Sequence, residues 1–114
     1  MSEIIHLKDQ DYSFFGRSTN LKGEFTLQGI THIAGTIDGQ IQMNGKDKIT
    51  IEPSAIITGG LKCHDVEIFG VFKGDLLASG KITVYPSATM EGNIQAENIS
   101  IHPGAVVNME GKTL

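Results

Sequence analysis

The chain has 114 residues, a formal net charge of −4 and an isoelectric point of about 5.4, which indicate one domain without the basic surface that nucleic acids or anionic membranes require. Its single cysteine, Cys63, excludes an internal disulfide and fits a reducing compartment such as a cytoplasm. No stretch approaches the roughly 18 apolar residues of a transmembrane helix.

Residues 1–12 mix apolar and acidic side chains and show neither helix nor strand periodicity. Charged residues such as Glu3 and Asp9 interrupt the uniform apolar core that a secretory signal peptide needs. We therefore predict a short disordered N-terminal tail. Its apolar residues Ile4 and Ile5 leave membrane contact open as an alternative.

From residue 13 onwards, short apolar-x-apolar pieces alternate with corners that contain Gly or Pro-Ser. The phrase KITIEPSAIITGG begins at Lys48, and its near-copy KITVYPSATMEGN begins 33 residues later at Lys81. A period of two is the signal of a strand, and each corner turns the chain. Corresponding pieces start near residues 13, 31, 49, 66, 82 and 99, at steps of 16 to 18 residues. This pattern predicts an all-β, single-domain fold over residues 13–114, a triangular solenoid of about six rungs.

Every second residue of each piece is predicted to face the interior, where equivalent residues of successive rungs form columns. The predicted core consists of Ile33, Ile37, Ile51, Ile57, Cys63, Ile68, Phe72, Val84 and Met90. Cys63 is interpreted as a packing residue and not as a redox centre. A further column of glycines stands in register before each third strand, where a positive φ is expected, and comprises Gly23, Gly39, Gly59, Gly74 and Gly92.

The two ends of such a solenoid present free strand edges and a cross-section of the core, which natural solenoids usually cover with polar caps. The sequence contains no convincing cap, so both ends are predicted to join another copy of the chain. The N-terminal contact set is Phe14, Phe15, Leu21, Phe25 and Leu27. The C-terminal contact set is Ile99, Ile101, Ala105, Val107 and Met109. Because the last rung is two residues longer before Gly111 than its counterparts, its third strand is expected to be irregular.

Two outward columns are candidates for a lateral or partner-binding strip. One is an aromatic ladder at a corner, formed by Phe69, Tyr85 and His102. The other is apolar and consists of Ile56, Val71 and Val106. Stacking that only stiffens the solenoid and docking of a filament or partner are the two interpretations that the sequence leaves open.

The histidines are the candidates for a histidine-centred site, and they are His6, His32, His64 and His102. No pair of them is predicted to share a column with a carboxylate at metal-ligand spacing, and no phosphate-binding loop, nucleophile elbow or CxxC motif occurs in the sequence. We therefore predict no catalytic residue, cofactor or metal.

The phrases IEPSAIITGGLKC and VYPSATMEGNIQAENISIHPGA, with GTIDGQIQ and GVFKGDLLASG, resemble the bactofilins over roughly residues 15–111. The resemblance implies a right-handed parallel β-helix and nucleotide-independent filaments built through terminal contacts. It also implies a cytoplasmic scaffold at the inner face of the membrane that supports cell shape or localises cell-wall enzymes. The partners expected are thus other copies of the chain, then cell-wall enzymes or membrane-associated proteins, and no nucleic acid.

An enzyme is the competing interpretation. The phrase from Ile51 to Lys62 also satisfies the hexapeptide pattern of left-handed β-helix acyltransferases. Those enzymes have regular 18-residue coils, a projecting loop with a catalytic histidine and often a C-terminal helix. The shorter coils of this sequence, without a loop or helix, favour the scaffold.

Overall fold

The computed structural model describes the backbone of residues 3–7, 12–16 and 20–113, and the side chains of residues 16 and 20–108. Every regular element in these ranges is a β-strand, as the period of two predicts. The strands are β1 (Glu3–Leu7), β2 (Tyr12–Phe15), β3 (Asn20–Gln28), β4 (Ile30–Ile33), β5 (Thr36–Asn44), β6 (Lys48–Ile51), β7 (Ile56–Cys63), β8 (Asp65–Ile68), β9 (Val71–Val84), β10 (Thr89–Ile101) and β11 (Val106–Thr113). No helix that could cross a membrane occurs in the part of the chain that is described.

All the strand pairs are parallel, and each joins one turn of the chain to the next. The predicted rung starts are direct partners, as the register pairs show: Ser13 with Thr31, Thr31 with Ile49, Ile49 with Val66, Val66 with Ile82, and Ile82 with Ile99. Five steps between six rung starts make a β-solenoid of about five turns, which confirms the predicted architecture. Its handedness stays a prediction from the resemblance.

A single apolar cluster fills the interior of the solenoid. It contains all nine residues of the predicted core. In the first column, Ile33, Ile51 and Ile68 are each 0% exposed, because the turn above and the turn below cover both sides. Each buried aliphatic side chain of this kind stabilises the fold by roughly 1.5–3 kcal/mol.

The five predicted corner glycines form a column that we call the glycine spine: Gly23, Gly39, Gly59, Gly74 and Gly92. Their φ angles lie between 124° and 150°, a region that side chains with a Cβ rarely adopt. In addition, a Cβ at Gly39, Gly59 or Gly74 would overlap the carbonyl oxygen of the spine glycine one turn earlier. Glycine is therefore required by both the local backbone and the neighbouring turn. In the last turn, Met109 pairs with Gly92.

Along one edge of the solenoid, short Gly corners at 34–35 and 69–70 alternate with long Pro-Ser corners at 52–55 and 85–88, and the last corner, at 102–105, is long again. In the corner at 52–55, the hydroxyl of Ser54 donates 2.7 Å to the carbonyl oxygen of Ala34 in the short corner one turn earlier. The next corner is short and contains Gly70. A Cβ at this position would crowd the carbonyl oxygens of Glu52 and Ala55, so the close approach of the two corners requires glycine. This alternation explains why similar sequence recurs after two turns.

The N-terminal segment differs from the predicted tail. Glu3–Leu7 form β1, which pairs in parallel with residues 23–27 of β3. Tyr12 begins β2, while residues 1, 2 and 8–11 lie outside the described ranges. Five residues are too few for their own pattern to predict a strand, and pairing with an existing sheet edge supplies the hydrogen bonds.

The last turn also differs from the sequence-based expectation. β11 pairs with β10 without a register shift, from Thr89 with Val106 to Ala96 with Thr113, so the expected irregularity of this strand was wrong. The last turn contains no extra residue, because Met109 occupies the spine position opposite Gly92 and Gly111 pairs with Ile94. A register shift does occur between Ala96 and Asn98, in the pairing of β10 with β9.

Candidate functional site

The C-terminal end of the solenoid is open. Among the described strands, β11 pairs only with β10, and residues 98–101 pair only with the end of β9. Ile101 is 44% exposed, although its column mates Ile33 and Ile51 are 0% exposed. The apolar column and the backbone ladder therefore both stop at a surface that offers further pairing.

The rest of the predicted C-terminal contact set surrounds Ile101. Ile99, Ala105 and Val107 are half-buried and pack against the core from the last turn. Met109 belongs to β11, and its side chain lies outside the described residues. The four described members thus all lie in the last turn and are less buried than the interior columns below them.

The N-terminal contact set needs a correction. Phe25 and Leu27 are 2% and 1% exposed, because β1 pairs with this part of β3 and adds a further strand outside it. Both residues are core residues of the structure and not part of its end surface. Leu21 is half-buried against the core. Phe14 and Phe15 lie in β2, and their side chains are outside the described residues.

The aromatic ladder is present. The ring centroids of Phe69 and Tyr85 lie 4.2 Å apart with 6° between the planes, and those of Tyr85 and His102 lie 4.9 Å apart with 10°. The rings stack because they follow equivalent strand ends in three successive turns, one strand spacing apart. Phe69 and Tyr85 are half-buried, and His102, in the last turn, is exposed.

A charged network that the sequence analysis missed lies beside the ladder. The Lys48 Nζ donates 2.8 Å to Glu67 Oε1, and the Tyr85 hydroxyl donates 2.6 Å to Glu67 Oε2. The hydrogen bond from Lys48 and, next in size, that from Tyr85 hold the pKa of Glu67 below its ordinary value. The hydrogen bond that the protonated Tyr85 hydroxyl donates to this carboxylate raises the pKa of Tyr85. The network ties three successive turns together.

The described histidine side chains lie in separate surroundings. His32 Nδ1 lies 2.8 Å from Glu52 Oε1, a contact across one turn that the column alignment did not predict. His64 Nδ1 lies 2.9 Å from the hydroxyl of Ser79. His6 is in β1, and its side chain is outside the described residues. Within the described side chains, no group of three or more potential metal ligands is found.

The apolar outward column follows the predicted register. Ile56 pairs with Val71, Val71 with Thr89, and Thr89 with Val106. Ile56 is 45% and Val106 is 62% exposed, while Val71 is half-buried. This column begins directly after the corner that carries the aromatic ladder, so the two share one edge of the solenoid.

A shallow groove of about 590 Å³ lies on another side of the solenoid. Its walls carry Gln40, Lys62 and Asp75, with Asn93 donating 3.2 Å to the Asp75 carboxylate. These are amide and charged groups. Among the residues that line the groove, no nucleophile stands beside a base.

Cys63 lies in the third inward column and is 7% exposed. Burial, and to a smaller extent the nearby Asp65 carboxylate, raises the pKa of its thiol to about 12. The thiol therefore stays protonated at neutral pH, and its contribution is packing.

Comparison with protein families agrees with this architecture. The family model for bactofilins, described as polymer-forming cytoskeletal, matches residues 13–112. Comparison with curated proteins and with solved structures gives no match. The family match spans the same residues as the repeated turns from β2 to β11, which is nearly the whole chain. The chain therefore belongs to the bactofilin family of polymer-forming cytoskeletal proteins.

Proposed function

We propose that this bactofilin is a non-enzymatic scaffold whose copies join end to end into filaments without nucleotide. The observation that carries the proposal is the open C-terminal end, where Ile101 is 44% exposed above a column of fully buried isoleucines. Membership of a polymer-forming family also supports the proposal that copies of the chain assemble with one another.

The junction would use the interactions that already hold one turn to the next. A second copy continues the parallel ladder from the edge of residues 98–101 and covers Ile99 and Ile101 with its own end surface. Each aliphatic side chain that becomes fully buried contributes roughly 1.5–3 kcal/mol. Because the joined surfaces stand at opposite ends of a rod, repeated contact extends into a filament and does not close.

The N-terminal end completes the proposed contact. β1 and β2 are the outermost described strands there, pairing only with β3 and β4. Phe14, Phe15 and Leu21 remain the proposed contact residues at this end. Phe14→Arg or Phe15→Arg should therefore give a folded chain that polymerises poorly.

The cellular role rests on the family. We propose a cytoplasmic filament at the inner face of the membrane that supports cell shape or localises cell-wall enzymes. Residues 1–12 are the proposed membrane contact, and they include β1, a strand at the outer edge of the sheet whose sequence contains Ile4 and Ile5. No observation favours the acyltransferase, since the registers give turns of 16 to 18 residues and not a regular 18.

Negative-stain electron microscopy of the purified chain without nucleotide tests the proposal. Wild type should form filaments, and Ile101→Arg should remain folded by circular dichroism but form none. Leu77→Arg is the matched control, because Leu77 is 38% exposed on a side of the solenoid in β9 and Ile101 is 44% exposed at its end. Long filaments of the Ile101 variant, or a wild type that stays monomeric at every concentration, would contradict the proposal.

A further inference from the structure

The aromatic ladder ends at the same open surface as the apolar column. His102 follows Ile101 directly, at the exposed end of β10. One face of its imidazole stacks on Tyr85 with 4.9 Å between centroids. No other ring stacks on His102 in the described part of the chain, and the residue is exposed. The ladder thus finishes in an aromatic face that points along the axis of the stack.

We propose that the outer face of His102 is a stacking site for the end of a second copy of this chain, and that the junction forms with the imidazole neutral. The inference rests on the proposed function and adds to it a contact residue at the junction and a dependence of assembly on pH. The occupant is a second copy because the open backbone edge of residues 98–101 adjoins the ring. A chain that continues this strand ladder would bring its own end surface over the ring.

The charge requirement follows from the surroundings of the ring. Along the ladder, its neighbour Tyr85 is hydrogen-bonded to Glu67, whose other oxygen is paired with Lys48. On β10 the nearest carboxylate in sequence is Glu97, and the described side chains of β11 carry no charge. Among residues 20–108 the imidazole of His102 forms neither an ion pair nor a hydrogen bond. Within one copy, the described side chains thus offer no carboxylate that would compensate a protonated ring for the hydration it loses in the junction, so the junction favours the neutral ring.

The sign of the pH dependence distinguishes this site from a general charge effect. Histidine side chains change charge between pH 5 and 8. As the pH falls towards the isoelectric point of about 5.4, the net charge of −4 shrinks and general repulsion between copies weakens. General electrostatics thus predicts stronger assembly in mild acid, whereas protonation of His102 predicts weaker assembly.

The experiment measures the critical concentration by sedimentation at pH 7.5 and pH 6.0 at constant salt. For wild type it should rise severalfold at the lower pH, because protonation of a ring that must be neutral in the polymer opposes assembly. His102→Phe keeps the stacking and cannot be charged, so it should assemble equally well at both pH values. His102→Ser should assemble more weakly at both. His64→Gln, which removes an imidazole from a corner in the middle of the stack, should keep the wild-type dependence.

The outcomes distinguish failure of filament formation from failure of the stacking site at His102. If wild type forms no filaments at any pH, the proposed function fails and the stacking site fails with it. If wild type forms filaments but His102→Phe shows the same pH dependence, or if wild-type assembly strengthens in acid, the filament stands and the stacking site is overturned. Circular dichroism of each variant at both pH values verifies that the solenoid is intact.

Discussion

The hydroxyl of Ser87 donates a hydrogen bond of 2.7 Å to the main-chain carbonyl oxygen of Phe69, one turn earlier. Ser54 makes the equivalent bond to Ala34. In both cases a long Pro-Ser corner satisfies a carbonyl of the short corner beneath it. Phe69 also carries the first ring of the aromatic ladder, so the same bond holds the corner from which that ring projects.

Ser87→Ala should lower the free energy of unfolding by about 1 kcal/mol, because it leaves the carbonyl of Phe69 without this partner. Denaturant unfolding below the critical concentration measures the loss. The double variant with Ser54→Ala should show the sum of the two losses, since the corners are two turns apart. Thr58→Ala, at an exposed hydroxyl on a side of the solenoid, is the control. A loss no larger than that of the control would contradict the corner role.

Gly74→Ala should destabilise the solenoid far more than an ordinary surface substitution. The backbone at Gly74 has a φ of 134°, and the added Cβ would overlap the carbonyl oxygen of Gly59. Strain in φ alone costs about 1–3 kcal/mol, and the overlap adds to it. Gly45→Ala is the matched control, because Gly45 has a φ of 88° and open space around the added Cβ. Equal melting temperatures of the two variants would show that the overlap is relieved without cost.

Glu67→Gln should make the stability less sensitive to acid. The folded-state pKa of Glu67 lies below its ordinary value, so its contribution is present at neutral pH and is lost as the pH falls through the lowered pKa. The glutamine variant has no such contribution to lose. Melting temperatures at pH 7 and pH 3 should therefore differ less for Glu67→Gln than for wild type. Glu91→Gln, at an exposed position, should behave as wild type.

The double substitution Phe69→Ser and Tyr85→Ser separates the two interpretations of the ladder. Loss of the stacked pair should lower the melting temperature, since such pairs contribute about 0.5–1.5 kcal/mol beyond the area they bury. If the ladder also docks neighbouring filaments, lateral bundling seen by electron microscopy should disappear while single filaments remain. Unchanged bundling with a lower melting temperature would leave stiffening as the function of the ladder.

The period of the fold was predictable from the sequence because parallel stacking places equivalent residues directly above one another. Ile33, Ile51 and Ile68 mark one column, and the direct pairing of their strands follows from it. The glycine spine was predictable for the same reason. Corners recur wherever the chain must turn, and glycine is the residue that tolerates the backbone required there.

The parts that were missed depend on contacts that a one-dimensional pattern does not contain. β1 is held by pairing with β3, so its own five residues carry no sufficient signal, and the burial of Phe25 beneath it was missed as a result. The contact of His32 with Glu52 joins side chains that are two positions out of register. Lys48 and Glu67 show the same offset, since Lys48 pairs with Asp65 in the register. Detection of either contact requires the direction of each side chain, which the pattern of residues does not give.

The alternation of long and short corners sets the unit by which such a rod can be lengthened. Copying residues 48–80 in tandem would place a Pro-Ser corner above every Phe-Gly corner and would keep the spine glycines aligned. The inserted cassette adds two turns, or about 10 Å of rod at one strand spacing per turn. A cassette of one turn would set two like corners against each other, as the chain itself does with its long corners at 85–88 and 102–105. The cassette of two turns repeats only contacts between corners that the structure already contains, so duplication of this segment in the gene would lengthen the rod without a new kind of junction.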